Sequence, residues 1–309
     1  MFDKVILNAH IACADHAEYL IYREHLQRCS EGEKVFYQST SLANIDGVSM
    51  RLQGSNVQIK CSLHKMFYKG VTGHLDNTQM FTISQAKAIV HELLSRWEID
   101  IGAVRVTYYE IGLNIPVNDD PLGYIASVHT IGSRQKEFFN DANFQKYRQK
   151  TTEKGRTIKK VFKIYDKGFE ARSKDHFCDE NILRLETIYR RQNIPLDVFL
   201  SDGELKKILD IYYRDWLSME FDRRVVAEKG MKSSQLEKAV RIIRDGPERY
   251  MSQMRDDWKS GMLTDKQYRT IREFVQKWPD LCGMFQTVQG PKELEIREKF
   301  EKLFNEAKK

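Results

Sequence analysis

The chain has 309 residues, of which 41% are hydrophobic and 30% are charged. That length accommodates one large domain or two ordinary ones with a real apolar core. No apolar run approaches the ~20 residues that cross a bilayer, and the N-terminal stretch is too interrupted by acids for a signal peptide. The five cysteines are scattered without C-x-x-C spacing. They indicate reduced thiols in a cytoplasm rather than a disulfide framework or a zinc site.

The first 200 residues contain short runs with the alternating pattern of β-strands. Five of these runs combine β-branched or aromatic residues with period-2 alternation, which predicts strands with one polar face. Two helices are predicted between them, one over residues 82–97 with Ser84 as its N-cap and one that begins at Pro121. The predicted strands are Gly47–Leu52, Val57–Leu63, Val104–Ile115, Lys160–Tyr165 and Ile182–Tyr189.

The strand-like runs stop near Ser201, where a capped helix is predicted to begin. The remaining residues form charged amphipathic patterns broken by glycine and proline, as at Gly246-Pro247. One of them, Leu263–Val275, has a cap and a 3–4 apolar spacing that favours a packing helix over a DNA-reading helix, and both interpretations stay open. We therefore expect a catalytic domain at residues 1–200 and a helical domain at residues 201–309 that could bind DNA.

Positive charge is concentrated in one segment. The formal charge of the whole chain is only +6, but residues 146–174 carry eleven Lys or Arg against three acids. Because cations that neutralise phosphates release counterions, this density favours contact with a nucleic-acid backbone. A solvated loop is the alternative, but the segment leads directly into an apolar strand. With Arg184 on the last strand, the candidate DNA-contacting residues are Lys154, Arg156, Lys159, Lys160, Lys163 and Arg184.

Alternation places reactive side chains on one face of four predicted strands. Lys60, Glu110, Tyr165 and Glu186 each lie opposite a face of Val, Ile, Leu or Phe. If the apolar faces share a core, the polar faces form one open platform. For any single residue, packing or a cross-strand pair is the commoner role. Their coincidence on one face favours a shared site.

This combination suits transfer of a DNA phosphate to a tyrosine. Attack by Tyr165 gives a covalent phosphotyrosine and frees a 3′ hydroxyl for a polymerase. Ionising an ordinary tyrosine at neutral pH costs roughly 4 kcal/mol, which Lys167 or a metal ion would lower. Lys60 would neutralise the developing charge.

Carboxylates on the same platform predict a metal site. Glu110 and Glu186 offer oxygen ligands, which favour Mg²⁺ or Mn²⁺, and such an ion would polarise the scissile phosphate. Asp166 is a candidate third ligand, provided that its strand twists at the end, because alternation points it away from the platform.

Several motifs, taken in order, resemble the gene II/X replication proteins of filamentous phages and their plasmid relatives, which are rolling-circle initiators. The similar segments are Val57–Lys65, Glu110–Asn114, Ile164–Lys167 and Arg184–Glu186, within roughly residues 45–220. The resemblance implies an α+β fold, with helices on one face of an antiparallel sheet, as in a divergent HUH-like nickase, and a helical C-terminal region after it.

The resemblance also assigns roles to residues. It implies that Tyr165 nicks the DNA and that Glu110 and Glu186 are the acids of the other motifs. Two features depart from the family pattern: Gln58 stands where the first motif has an acid, and no His-x-His pair is present. The implied partners are single-stranded or hairpin origin DNA and a host helicase and polymerase, in a bacterial cytoplasm.

Three other functions are consistent with parts of the sequence. A tyrosine recombinase would use a His-x-x-Arg motif such as His25–Arg28, but Tyr165 lies far downstream on a strand. A non-enzymatic DNA-binding replication or regulatory protein would carry a purely structural tyrosine. A mobilisation relaxase would share the nicking chemistry and differ in biological use.

Overall fold

The protein is a mixed α/β chain built on one large antiparallel sheet. The computed structural model describes residues 1–40, 47–154, 159–174, 178, 180–222 and 224–309. The chain divides into two units, residues 1–220 with 295–309 and residues 221–294. The division therefore falls at residue 220 rather than at the expected 200, and the C-terminal helix belongs to the first unit.

The strands follow the polar and apolar alternation of the sequence. They are β1 (Phe2–His10), β2 (Gln27–Glu31), β3 (Lys34–Gln38), β4 (Val48–Gln53), β5 (Asn56–Ser62), β6 (Val104–Pro116), β7 (Val128–Ile131), β8 (Lys136–Glu137), β9 (Phe139–Asp141), β10 (Gln145–Lys154), β11 (Lys159–Asp166), β12 (Ile182–Pro195), β13 (Glu220–Phe221), β14 (Arg224–Ala227) and β15 (Phe285–Val288).

The helices lie between these strands and beyond them. They are α1 (Ala14–Arg23), α2 (Leu63–Thr72), α3 (Ile83–Arg96), α4 (Pro121–Ser127), α5 (Lys167–Arg172), α6 (Leu196–Phe199), α7 (Asp202–Leu217), α8 (Ser233–Asp245), α9 (Pro247–Lys259), α10 (Asp265–Gln276), α11 (Trp278–Leu281) and α12 (Pro291–Ala307). Among the described residues, none of the helices combines the length and the apolar character that crossing a membrane requires.

Within the described part of the chain, ten strands form the large sheet in the order β2-β3-β4-β5-β1-β6-β12-β11-β10-β9. Every neighbouring pair in it is antiparallel. The predicted antiparallel sheet is therefore confirmed, and all five predicted strands belong to it. The other five strands of this sheet, β1, β2, β3, β9 and β10, are not among the predicted ones.

Helix α7 covers one face of β11 and β12. The indole of Trp216 donates a hydrogen bond of 3.0 Å to the Thr187 hydroxyl, and its ring meets Phe162 edge-on. Tyr212, which is also on α7, packs against Phe300 of α12. Because these aromatic contacts join α7 and α12 to the sheet, both helices are part of the first unit. The opposite face of the strands is left for polar side chains.

The predicted starts of α3, α4 and α7 agree with the structure, except for the N-cap of α3. Helix α3 begins at Ile83, and its N-cap is Thr82 rather than Ser84, because Thr82 and Gln85 form a reciprocal capping box. Helix α4 begins at Pro121 as predicted, and α7 is capped by Ser201.

The second unit has its own small core. β14 and β15 pair antiparallel, so the expectation that strands stop near Ser201 is wrong. The helix predicted at Leu263–Val275 is α10, in which Phe274 is buried, and this supports the packing interpretation. The buried residues of the core are Ala239, Ile242, Tyr250, Met254, Phe274 and Phe285.

Candidate active site

Three carboxylates meet near the middle of the large sheet. Asp3 on β1, Glu110 on β6 and Glu186 on β12 each offer an oxygen, and these oxygens lie within 4.8 Å of one another. β1, β6 and β12 are consecutive neighbours in the sheet. Side chains on the same face of adjacent strands are close enough to interact, so the topology itself brings the three acids together.

The Arg184 side chain joins these strands from inside. It is 1% exposed and donates hydrogen bonds to Asp3 Oδ2 at 2.6 Å, Asn114 Oδ1 at 2.8 Å and Glu186 Oε2 at 3.1 Å. The guanidinium lies against Gly112 of β6, where an added Cβ would stand 2.3 Å from Arg184 Nη2. Glycine at this position therefore makes room for the arginine.

Tyr165 contacts the acidic cluster directly. Its hydroxyl donates a hydrogen bond of 3.0 Å to Glu186 Oε2, and the guanidinium carbon of Arg148 lies 4.7 Å from the centre of its ring. The residue is only 4% exposed. Burial, followed by the negative charge of Glu186, raises the pKa of Tyr165 well above its usual value. The phenol is therefore neutral at physiological pH.

Lys163 and Lys167, two positions to either side of Tyr165 in the sequence, are each paired with a carboxylate. Lys163 Nζ donates to Glu186 Oε1 at 2.8 Å. Lys167 Nζ donates to Glu170 Oε2 at 2.6 Å, and burial, followed by the charge of Arg184, lowers the pKa of Lys167. The Lys167 ammonium, predicted to lie beside Tyr165, is thus paired with Glu170 of the same helix, α5.

The three acids have different affinities for protons. Burial favours protonation of Asp3, but Arg184, Lys167 and a hydrogen bond from Ser62 act together against it and the pKa of Asp3 is lowered. For Glu186, burial is outweighed by Lys163 and Arg184, and its pKa is lowered as well. Burial and then the charges of Glu186 and Asp3 raise the pKa of Glu110 to about 7. Of the three acids, Glu110 is therefore the one that binds a proton near neutral pH.

The donor set fits a hard divalent cation. Asp3, Glu110 and Glu186 offer only carboxylate oxygens, which Mg²⁺ and Mn²⁺ accept. Asp166, the expected third ligand, is not in this group. Its carboxylate accepts a hydrogen bond of 2.8 Å from the Phe169 amide and caps α5, because the strand ends there and a helix begins.

A cleft of about 430 Å³ opens over the acids and Tyr165. Lys60, which the sequence placed on this platform, is exposed and lines the cleft. Gln58 is hydrogen-bonded to Asn8 instead and has no part in the acidic cluster. The cationic residues of the lining are Lys4, Lys60, Lys65, Arg148, Lys163 and Lys174.

The structure separates the six predicted DNA-contacting residues. Lys163 lies in the cleft, but Arg184 is buried inside the cluster and cannot reach a phosphate. Lys160 points to the helix-covered face, where its Nζ pairs with Asp215 of α7 at 2.9 Å. Strand alternation is the reason, because Lys160 and Lys163 are three positions apart and so face opposite sides. Lys154 ends β10 and Lys159 begins β11, and Arg156 lies outside the described residues.

Sequence reasoning missed Asp3 and Arg148. The alternation of Val5, Leu7 and Ala9 was a signal for β1, but the register of β1 against β6 shifts between Phe2 and Val5. The orientation of Asp3 depends on that irregularity, which period-2 counting does not give. The sequence pattern identifies Arg148 only as one cation of the basic segment. In the structure it is the cross-strand partner of Tyr165.

No protein-family model matches the chain, and a search of curated proteins gives no match. The structure is that of a mixed α/β protein whose large antiparallel sheet carries three clustered carboxylates and a tyrosine in one lysine-lined cleft, with Arg184 buried behind them.

We predict that Gly112→Ala destabilises the first unit by about 2–3 kcal/mol, because the new methyl group overlaps the buried Arg184 guanidinium. Urea denaturation followed by circular dichroism measures the loss. Gly203→Ala is the matched control, since Gly203 is in α7 with open space around its Cα, and alanine there should be neutral or stabilising by up to about 1 kcal/mol. Equal stability of the two variants would contradict the packing of Arg184 on Gly112.

We predict that Glu170→Gln costs roughly 2–3 kcal/mol at pH 7 and much less near pH 2. Burial opposes ionisation of Glu170, but Lys167 and Lys174 lower its pKa from the usual 4.5 to about 2. A lowered folded-state pKa gives stability that is present above pH ~4.5 and disappears as the pH falls through about 2. Denaturation at several pH values, with the exposed Glu92→Gln as control, measures this. A cost independent of pH would contradict it.

Proposed function

We propose that the chain is a rolling-circle replication initiator, which nicks origin DNA through Tyr165. The observation that carries the proposal is the hydrogen bond from the Tyr165 hydroxyl to Glu186, one of three clustered carboxylates in a lysine-lined cleft. A nucleophile, a site for a divalent cation and cations for a polyanion are thus within one pocket. The antiparallel sheet is compatible with a divergent HUH-like nickase in which carboxylates replace histidines.

In this mechanism Tyr165 attacks the scissile phosphate. A bond forms between its hydroxyl oxygen and phosphorus, and the bond from phosphorus to the 3′ oxygen breaks. The products are a 5′-phosphotyrosine and a 3′ hydroxyl from which a polymerase extends. Glu186 Oε2 is positioned to accept the phenolic proton as the attack proceeds, and the leaving 3′ oxygen takes up a proton.

The surrounding residues have different electrostatic roles in this mechanism. A bound Mg²⁺ or Mn²⁺ would polarise the phosphate oxygens, with Asp3, Glu110 and Glu186 as its holders. Lys60 lines the cleft and would neutralise charge on the DNA. Arg148 lies over the Tyr165 ring and pairs with Asp141 and Glu170 at 3.8 and 3.6 Å, so we assign it to positioning of the tyrosine. Arg184 and Lys167 are buried in ion pairs, and we assign them to positioning rather than to contact with DNA.

The substrate is then an exposed phosphate of single-stranded or hairpin origin DNA, because a nucleophile set on a strand cannot reach into a regular duplex. A host helicase and polymerase would extend the freed end, in the cytoplasm of a bacterial host. A mobilisation relaxase would use the same residues.

One observation favours a non-enzymatic alternative. Tyr165 is buried and neutral, which also suits a structural tyrosine in a DNA-binding replication or regulatory protein. The two functions differ in whether a covalent protein–DNA product forms.

We predict that Tyr165→Phe abolishes nicking and leaves DNA binding within about twofold of wild type, because the ring is kept and only the hydroxyl is lost. Protein, Mn²⁺ and supercoiled DNA of the replicon that encodes the chain are incubated together. Denaturing gels then detect nicked circles and a protein–DNA adduct, and mass spectrometry locates the modified tyrosine. Tyr22→Phe, at a tyrosine 82% exposed on α1, is the control and should nick normally.

The outcomes separate the candidates. Nicking by Tyr165→Phe at the wild-type rate would exclude Tyr165 as the nucleophile. Tight binding of replicon DNA without any adduct from the wild-type protein would support the non-enzymatic alternative.

We predict that Mn²⁺ raises the melting temperature of the wild-type protein and that Glu110→Gln removes most of this effect. Binding to the folded state alone stabilises by about 2.7 kcal/mol at 100 times the dissociation constant. Glu110 is the best test because, among the described contacts of its carboxylate, the only hydrogen bond comes from Tyr108, whereas Asp3→Asn would also break the pair with Arg184. Glu92→Gln is the control. An unchanged Mn²⁺ effect in Glu110→Gln would remove Glu110 from the ligand set.

A further inference from the structure

A row of side chains leads from the acidic cluster to the edge of the large sheet. Glu186 on β12, Lys163 on β11, Lys150 on β10 and Phe139 on β9 are successive cross-strand partners. Directly opposed residues of antiparallel strands point to the same face. With strands ~4.8 Å apart, the row extends about 14 Å from the acids.

The outer end of the row has an exposed aromatic ring. Phe139 is 63% exposed, on an edge strand of only three residues. Neighbouring Phe138 is oriented differently, with its ring 6.5 Å from that of Trp216 of α7. Burying a phenylalanine normally stabilises a fold, so a ring held in solvent beside a polar row is free to contact a ligand.

The surroundings of Phe139 are cationic. Lys150, with a side chain 45% exposed, pairs with Asp141 at 2.9 Å. Asp141 is buried and also pairs with Arg148 at 3.8 Å, so it keeps a cation when a phosphate takes the partly exposed Lys150 ammonium. A groove of about 610 Å³ continues past the ring, and its lining includes Arg134, Lys136, Glu137 and Thr152.

We propose that Phe139 and Lys150 form a binding subsite for single-stranded DNA, with the backbone following Lys163 and Lys150 and an unpaired base stacked on Phe139. An aromatic ring beside lysines is the combination that holds single strands without regard to sequence. A duplex has no free base face to offer the ring. As a site for the strand that Tyr165 cleaves, the subsite rests on the proposed function.

The test measures binding without cleavage. Fluorescence anisotropy follows a labelled 20-nucleotide oligo(dT) in EDTA, and the same strand paired with oligo(dA) is measured in parallel. Phe139→Ala should weaken single-strand binding by about 5- to 150-fold, the effect of losing one stacked base, and should affect the duplex far less. Phe139→Trp should bind at least as tightly as wild type. Lys150→Gln should reduce the slope of log K against log salt by about 0.7.

Two further measurements make the result specific. Tyr22→Ala, which removes an aromatic residue exposed elsewhere, should bind like wild type. Photocrosslinking with an oligonucleotide that contains 5-iododeoxyuridine should modify Phe139 within the tryptic peptide of residues 137–146.

The proposal is overturned if the wild-type protein does not bind oligo(dT), or if Phe139→Ala binds it normally. It is also overturned if Phe139→Ala changes only the sedimentation coefficient, since the ring would then join copies of the chain. A protein that fails to nick but loses oligo(dT) binding in Phe139→Ala would retain the subsite and lose the nickase function.

Discussion

The candidate site depends on one buried arginine. Arg184 connects β1, β6 and β12 through hydrogen bonds to Asp3, Asn114 and Glu186. An ionised guanidinium in an apolar interior is tolerated only when its donors are matched by acceptors, and removing a partner from such a network is costly. The arginine therefore fixes the positions of two acids and explains the glycine at position 112. Any ligand of the acids is held by a framework that Arg184 sets.

The same arrangement governs the tyrosine. Glu186 accepts hydrogen bonds from Arg184, Lys163 and Tyr165, so its carboxylate stays ionised and its basicity is low. In the resting site, Glu186 consequently orients the phenol and does not yet accept its proton. In the proposed function, activation must come with the substrate and the cation, because both bring charge that changes the balance around the hydroxyl. A resting site of this kind keeps the nucleophile from reacting before DNA is in place.

Much of this architecture follows from alternation. The five predicted strands are in the sheet, and the polar face that contains Lys60, Glu110, Tyr165 and Glu186 was derived from period 2 alone. Three features did not follow. Asp3 is oriented near an irregularity in the pairing of β1 with β6. Asp166 caps the helix that begins after it. Arg184, which the sequence predicts to contact DNA, is buried. Local pattern gives the face of a strand, but burial and partner choice come from strand order, which is a non-local property.

Charge balance in the cluster links the acids to their ligand. Asp3, Glu110 and Glu186 are three anionic groups, and Arg184 and Lys163 supply two cationic partners. Burial, and after it the negative charges of Glu186 and Asp3, raises the pKa of Glu110 to about 7. In the proposed function, a proton and a divalent cation are alternative ways to neutralise Glu110, and they would compete near physiological pH. Histidine ligands would shift this competition less strongly, since they carry no negative charge to be relieved. In the proposed function, a carboxylate-based site would couple metal binding to the loss of one proton from Glu110. Arg184 favours the ionised form of Asp3, and Lys163 and Arg184 favour that of Glu186.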